Sequence, residues 1–147
     1  MKLSPVRWIL AVAGLLFMGF LLLQLIPYGR DHSNPPIKSQ PAWDSPRTQK
    51  LVREACFDCH SNETRWPWYS NVAPMSWLLA RDVEEARGRF NLNEMTPDEA
   101  LDWVGAMVIK VKNNEMPPMR YSALHAEARF STLERQDLIN GLLATFK

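Results

Sequence analysis

At 147 residues the chain has room for one modest domain and little else. Its 17 Lys and Arg against 16 Asp and Glu leave a net charge of +1. That balance excludes the basic footprint of a nucleic-acid binder and the polybasic patch of a protein held to anionic lipid by charge.

Residues 8–26 form an almost unbroken apolar run in which Gln24 is the one strongly polar member. At about 1.5 Å per residue the run spans about 28 Å as a helix, close to the hydrocarbon thickness of a bilayer. Lys2 and Arg7 precede it, which predicts a cytoplasmic N-terminus and an outward-facing C-terminal domain. Trp8 and Tyr28 suit the two interfaces as aromatic anchors. A cleaved signal peptide has a shorter apolar core and a small-x-small cleavage site. Here the run leaves through Leu25-Ile26-Pro27-Tyr28, so residues 1–28 read as an uncleaved anchor.

Residues 29–45 carry Pro35, Pro36 and Pro41 among polar side chains and read as an extended, semi-stiff linker. Trp43 is expected to tuck against the following domain, and His32 to be a solvated linker residue. Ser45-Pro46 then signals a helix start, an N-cap followed by proline at the first helical position. Leu51, Val52 and Ala55 keep helical apolar spacing into Cys56-Phe57-Asp58-Cys59-His60, which holds both cysteines of the chain.

Cys-x-x-Cys followed directly by His reads as a c-type haem attachment site. On one helical turn, positions i, i+3 and i+4 share a face. Cys56 and Cys59 can then form thioethers with the porphyrin while His60 reaches the iron from the same side. A thioredoxin-like centre would need a βαβ setting, which is absent. A zinc site would need four ligands, and only His32, His60 and His125 are available beside the thiols. A structural disulfide is the third alternative. The outward orientation of the domain agrees with haem attachment, which bacteria carry out beyond the cytoplasmic membrane.

After the motif, residues 61–70 are loop-like, with Pro67 holding Trp66 extended. Trp66, Trp68 and Tyr69 could wall one side of a haem or pack as ordinary core aromatics. Pro74 opens a second helix with Met75, Leu79, Val83 and Ala86 on one face and Gly88 as its stop; Asp82, Glu84, Glu85, Arg87 and Arg89 read as its solvated face. Thr96-Pro97-Asp98-Glu99 is a capping box for a third helix, striped by Leu101, Val104, Val108 and Val111 and ending near Asn113-Asn114. Ser131-Thr132-Leu133-Glu134 repeats the box for a last helix whose buried side is Leu138, Ile139, Leu142, Leu143 and Phe146. No strand pattern is visible. The expected fold is all-α: the anchor, the linker, and at residues 46–147 a cytochrome-c-like domain of about four helices around one haem.

Between the last two helices, Met116-Pro117-Pro118-Met119 cannot be helical. Its stiff backbone could present a thioether to iron at little entropic cost, and Met/His ligation raises the reduction potential of cytochromes c. Met116 is the first candidate for the second axial ligand; Met119, His125 or an open or water-ligated position are the alternatives. Met75, Met95 and Met107 read as core.

These residues carry a resemblance. Cys56-Phe57-Asp58-Cys59-His60-Ser61-Asn62-Glu63-Thr64, Pro67-Trp68-Tyr69, Pro74-Met75-Ser76-Trp77, Asn91, Met116-Pro117-Pro118, Tyr121, His125 and the Ser131 cap resemble the small bacterial membrane-anchored haem-binding domains with one Cys-x-x-Cys-His. The likeness covers about residues 45–147. It implies one covalently attached haem c with its iron, thioethers at Cys56 and Cys59, His60 as proximal and Met116 as distal ligand.

Function then reads as a membrane-tethered electron carrier, not an enzyme. It would sit in the bacterial inner membrane with its haem domain in the periplasm, and serve an unidentified redox partner at that membrane. The alternative is a haem-based sensor or enzyme for gas or peroxide, in which the distal ligand dissociates and Arg120, Tyr121 and His125 serve the pocket. A thiol-disulfide protein is a third reading.

Overall fold

The computed structural model describes residues 4–147; Lys2, one of the two cations before the apolar run, lies outside the described residues. Among the described residues there are seven α-helices, two short 3-10 turns and no strand. The all-α expectation holds. All four long helices expected after the anchor are present, joined by two short ones. The residues fall into two compact units, one made by the chain up to His32 with residues 66–82, the other by residues 33–65 and 83–147.

In the first unit α1 spans Pro5–Leu23, with proline in its first turn. It is long and apolar enough to cross a membrane, and none of its residues is buried. The helix stops three residues before the apolar run does, its end tightening into i→i−3 bonds as Gln24, Leu25 and Ile26 N–H donate to the Leu21, Leu22 and Leu23 carbonyls. Gln24 Nε2 donates to the Ala73 carbonyl at 3.0 Å while Gln24 Oε1 accepts from the Ala73 N–H at 3.0 Å. Gly29 has φ +76°, and a Cβ there would stand 2.2 Å from the Ser76 carbonyl oxygen. Only glycine allows that approach. His32, expected in solvent, is half-buried: its ring stacks on Trp66 at 4.7 Å, and its Nε2 lies 3.3 Å from the Ser70 carbonyl.

The second unit contains α2 (Pro46–Ala55), α3 (Phe57–His60), α5 (Pro97–Lys112), α6 (Met119–Leu124) and α7 (Thr132–Thr145). Helix α4 (Met75–Arg89) contributes its residues from 83 onward. Each predicted cap is made: Ser45 accepts from Thr48 N–H, and both capping boxes close reciprocally. Helices α2 and α5 pack on α7, and Leu51, Val52, Phe57, Leu92, Val111, Leu138 and Leu142 form the core. Leu101 and Leu143, read as core from their spacing, are about half exposed. Each sits at the edge of its helix's apolar stripe, where the neighbouring helix no longer covers it.

Residues 33–45 have no regular structure, yet they are fastened. Asn34 donates to the Thr64 carbonyl, the Lys38 and Ser39 N–H groups both donate to the Asn93 carbonyl, and Trp43 packs against Phe57 and Phe146.

Candidate functional site

The backbone through the cysteine motif is not one continuous helix. Cys56 has φ −120° and separates α2 from α3. The turn is nonetheless closed by the Cys56 carbonyl, which accepts from Cys59 N–H at 3.2 Å and His60 N–H at 2.8 Å. The three side chains at i, i+3 and i+4 therefore keep the relation the motif predicts. No disulfide joins Cys56 to Cys59. Burial, and secondarily the neighbouring charge of Cys59, pushes the Cys56 thiol up to about 12. A dithiol-disulfide exchange centre drives its attacking thiol the other way.

His60 is buried and oriented from the side. Its ring stacks on Phe90 at 4.0 Å with 6° between planes, and Nδ1 lies 3.3 Å from the Phe90 carbonyl. A carbonyl can only accept, so Nδ1 carries the proton and Nε2 keeps its lone pair. Burial holds the imidazole below its ordinary value, and the nearby charge of Arg89 acts in the same direction. A neutral ring whose tautomer is fixed by a backbone carbonyl is the form in which histidine ligates a metal.

The residues after His60 fix its position. His60 O accepts from Leu92 N–H at 2.8 Å, and Asn62 N–H donates to Asn93 Oδ1 at 2.9 Å. Arg87 donates to the Ser61 carbonyl and to Thr64 Oγ1, each at 2.9 Å. Helical spacing places Arg87 on a solvated face; the structure instead uses its fork to satisfy the loop that follows the motif.

Asp58, between the cysteines, is also buried. Its Oδ2 accepts from Tyr121 Oη at 2.7 Å, while its Oδ1 accepts from Arg65 N–H at 3.1 Å and Arg65 Nε at 3.2 Å. Tyr121 stacks on His125 at 4.1 Å, and burial followed by the bond to Asp58 drives its phenol well above the ordinary value.

Beside His60 opens a small apolar cleft, wide at its mouth, with a cavity volume of about 110 Å³. Cys56, His60, Phe90, Trp103, Met107 and Met116 line it, together with aliphatic side chains and two cations, Arg89 and Lys110. Met116 is held at its N–H, which donates to the Lys110 carbonyl at 3.1 Å. Met119 is the first residue of α6 and is 83 % exposed, so the segment predicted to be non-helical is so only up to Pro118.

The structure thus brings Cys56, His60 and Met116 to one cleft, with Cys59 one turn from Cys56. Tyr121 and His125 are not among the lining residues. Trp66, Trp68 and Tyr69 belong to the first unit. Phe90, Trp103 and Met107 as cleft walls were not legible in the sequence; no motif marks them, and they meet only across the cleft, from α5 and the residue that follows α4. Among the described residues no group of three His, Cys, Asp or Glu is placed to hold a metal ion, which removes the ligand set that zinc would need.

The lining of the cleft fits a haem: apolar walls for the porphyrin, the Cys56 thiol, the buried imidazole of His60, and the cations Arg89 and Lys110 for acidic substituents. No curated protein and no solved structure matches the chain. A family model described as a haem-binding domain matches residues 18–144, and the chain accordingly belongs to that family of haem-binding domains.

Proposed function

We propose that the protein is a membrane-tethered single-haem c-type cytochrome module that carries electrons outside the cytoplasmic membrane. The observation that carries this reading is the meeting of Cys56, His60 and Met116 in one apolar cleft, with His60 Nδ1 already engaged by Phe90. Cys56 and Cys59 would hold the haem as thioethers, and His60 and Met116 would ligate its iron. When bound, the group supplies one-electron iron chemistry, with thioether ligation raising the potential.

The chain's own contribution is positional. The Phe90 carbonyl fixes the tautomer and, with its ring, the plane of His60. Pro117 and Pro118 restrict the backbone that presents Met116, so little freedom remains to be lost on ligation. The apolar walls exclude water, and Arg89 and Lys110 stand ready for the porphyrin's carboxylates. With Cys56 held as a thioether and His60 given to the iron, no nucleophile-base pair would remain in the lining, which favours transfer of electrons over turnover of a substrate.

The test is the full chain produced in a host with haem-attachment machinery. The expected product has the mass of one added haem, and its reduced form binds carbon monoxide slowly, whereas Met116→Ala binds it readily. A colourless product of unmodified mass would overturn the haem c reading. Fast, tight carbon monoxide binding by the unaltered protein would replace the carrier with a gas- or peroxide-responsive module.

A further inference from the structure

Residues 66–80 contain no Asp, Glu, Lys, Arg or His, although charged residues make up 22 % of the chain. They hold three of its six tryptophans: Trp66, Trp68 and Trp77. The stretch belongs to the same compact unit as α1. Trp66 is accounted for by its stack on His32, but Trp68 is 79 % exposed, and Leu78 is exposed as well. An uncharged surface with an exposed indole is unusual beside water and ordinary at a membrane interface, where Trp and Tyr place an apolar body and a polar tip at headgroup level.

The fastening of this stretch says where it lies. Helix α1, at 19 residues, is about 28 Å long, so its end marks the edge of the hydrocarbon layer if it spans a bilayer. Gln24, the next residue, is paired through both atoms of its amide with the Ala73 backbone. Gly29 lies directly against Ser76, and His32 against Ser70. Residues 70–76 are therefore strapped to the segment that leaves the membrane. Trp68 begins the 3-10 turn Trp68–Asn71, so its α-carbon lies within about 13 Å of Ala73 by chain length. Exposed Leu25, Ile26 and Tyr28 continue the same apolar character from α1.

We infer that residues 66–80 form a second membrane contact beside α1, a surface resting on the outer headgroup layer of the bilayer with Trp68 inserted into it. The inference rests on α1 crossing the membrane and is independent of haem attachment. It gives Trp68 a place in lipid instead of beside the porphyrin.

The test uses the full chain in phosphatidylcholine bilayer discs that carry a photoactivatable group at headgroup level, followed by tryptic mapping of lipid adducts. Cleavage after Arg65 and Arg81 isolates residues 66–81 as one peptide; cleavage after Arg129 and Arg135 isolates 130–135, which carries the 78 %-exposed Leu133 as an aqueous reference. The expected result is adducts on the 66–81 peptide as well as on α1, reduced several-fold on 66–81 alone by Trp68→Glu. Adducts on α1 with the 66–81 peptide as bare as the reference would overturn the inference and leave the anchor standing. Adducts on neither would overturn both.

Discussion

Asp58 occupies one of the two variable positions of the cysteine motif, yet it is the most heavily bonded side chain there. Its carboxylate ties α3 to Arg65 on one side and to Tyr121 of α6 on the other. Tyr121→Phe removes one donor from a buried carboxylate. Hydrogen bonds to charged groups are worth roughly 1.5–3 kcal/mol. The expected loss is of that order, read as a lower urea midpoint at unchanged slope. Because α6 follows directly on Met116-Pro117-Pro118, the same variant should also loosen the Met116 segment, seen as faster carbon monoxide binding by the reduced holoprotein. At this scale the sequence was legible where chemistry is encoded locally. Cys56, Cys59 and His60 need only a turn. Phe90, 30 residues from His60, has no local signature because its role is played by a backbone carbonyl, which every residue possesses.

Among the elements, the two capping boxes were readable in full because Ser or Thr, followed three residues later by Glu, satisfies its own backbone donors without help from the rest of the fold. Glu134 is held below the ordinary carboxylate range, chiefly by the Ser131 N–H and then by the Ser131 hydroxyl. A lowered folded-state value means stability present above the unfolded value and lost as pH falls through the folded one. Glu134→Ala should therefore destabilise at neutral pH, with the difference from wild type shrinking as pH drops below the ordinary 4.5, followed by thermal melts across that range. The contact between α2 and α7 was not readable. Gly141 sits mid-helix, where glycine is a poor former, because a Cβ there would stand 2.0 Å from Thr48 Oγ1. Gly141→Ala, stabilising in an isolated helix, should here cost about 1–3 kcal/mol by overpacking. Equilibrium unfolding checks the sign.

For the whole molecule, the cleft leaves apolar surface on the half-buried Phe90, Trp103, Met107 and Met116 open for a guest. Protein made without haem attachment should accordingly unfold at lower denaturant than the holoprotein, since burying such surface contributes about 25 cal/mol per Å². Circular dichroism against urea compares the two forms, and equal midpoints would show that the cleft is not where the haem sits. By itself the sequence determined the membrane-length helix, the all-helical class and the helix starts, because each depends on periodicity, capping or spacing within a few residues. Tertiary structure alone decided that Gln24, at the end of α1, clasps Ala73, that Arg87 serves the loop instead of solvent, and that Met116 rather than Met119 lines the cleft. Each of those outcomes joins residues far apart along the chain, and a pattern of short-range propensities carries no term for such pairings.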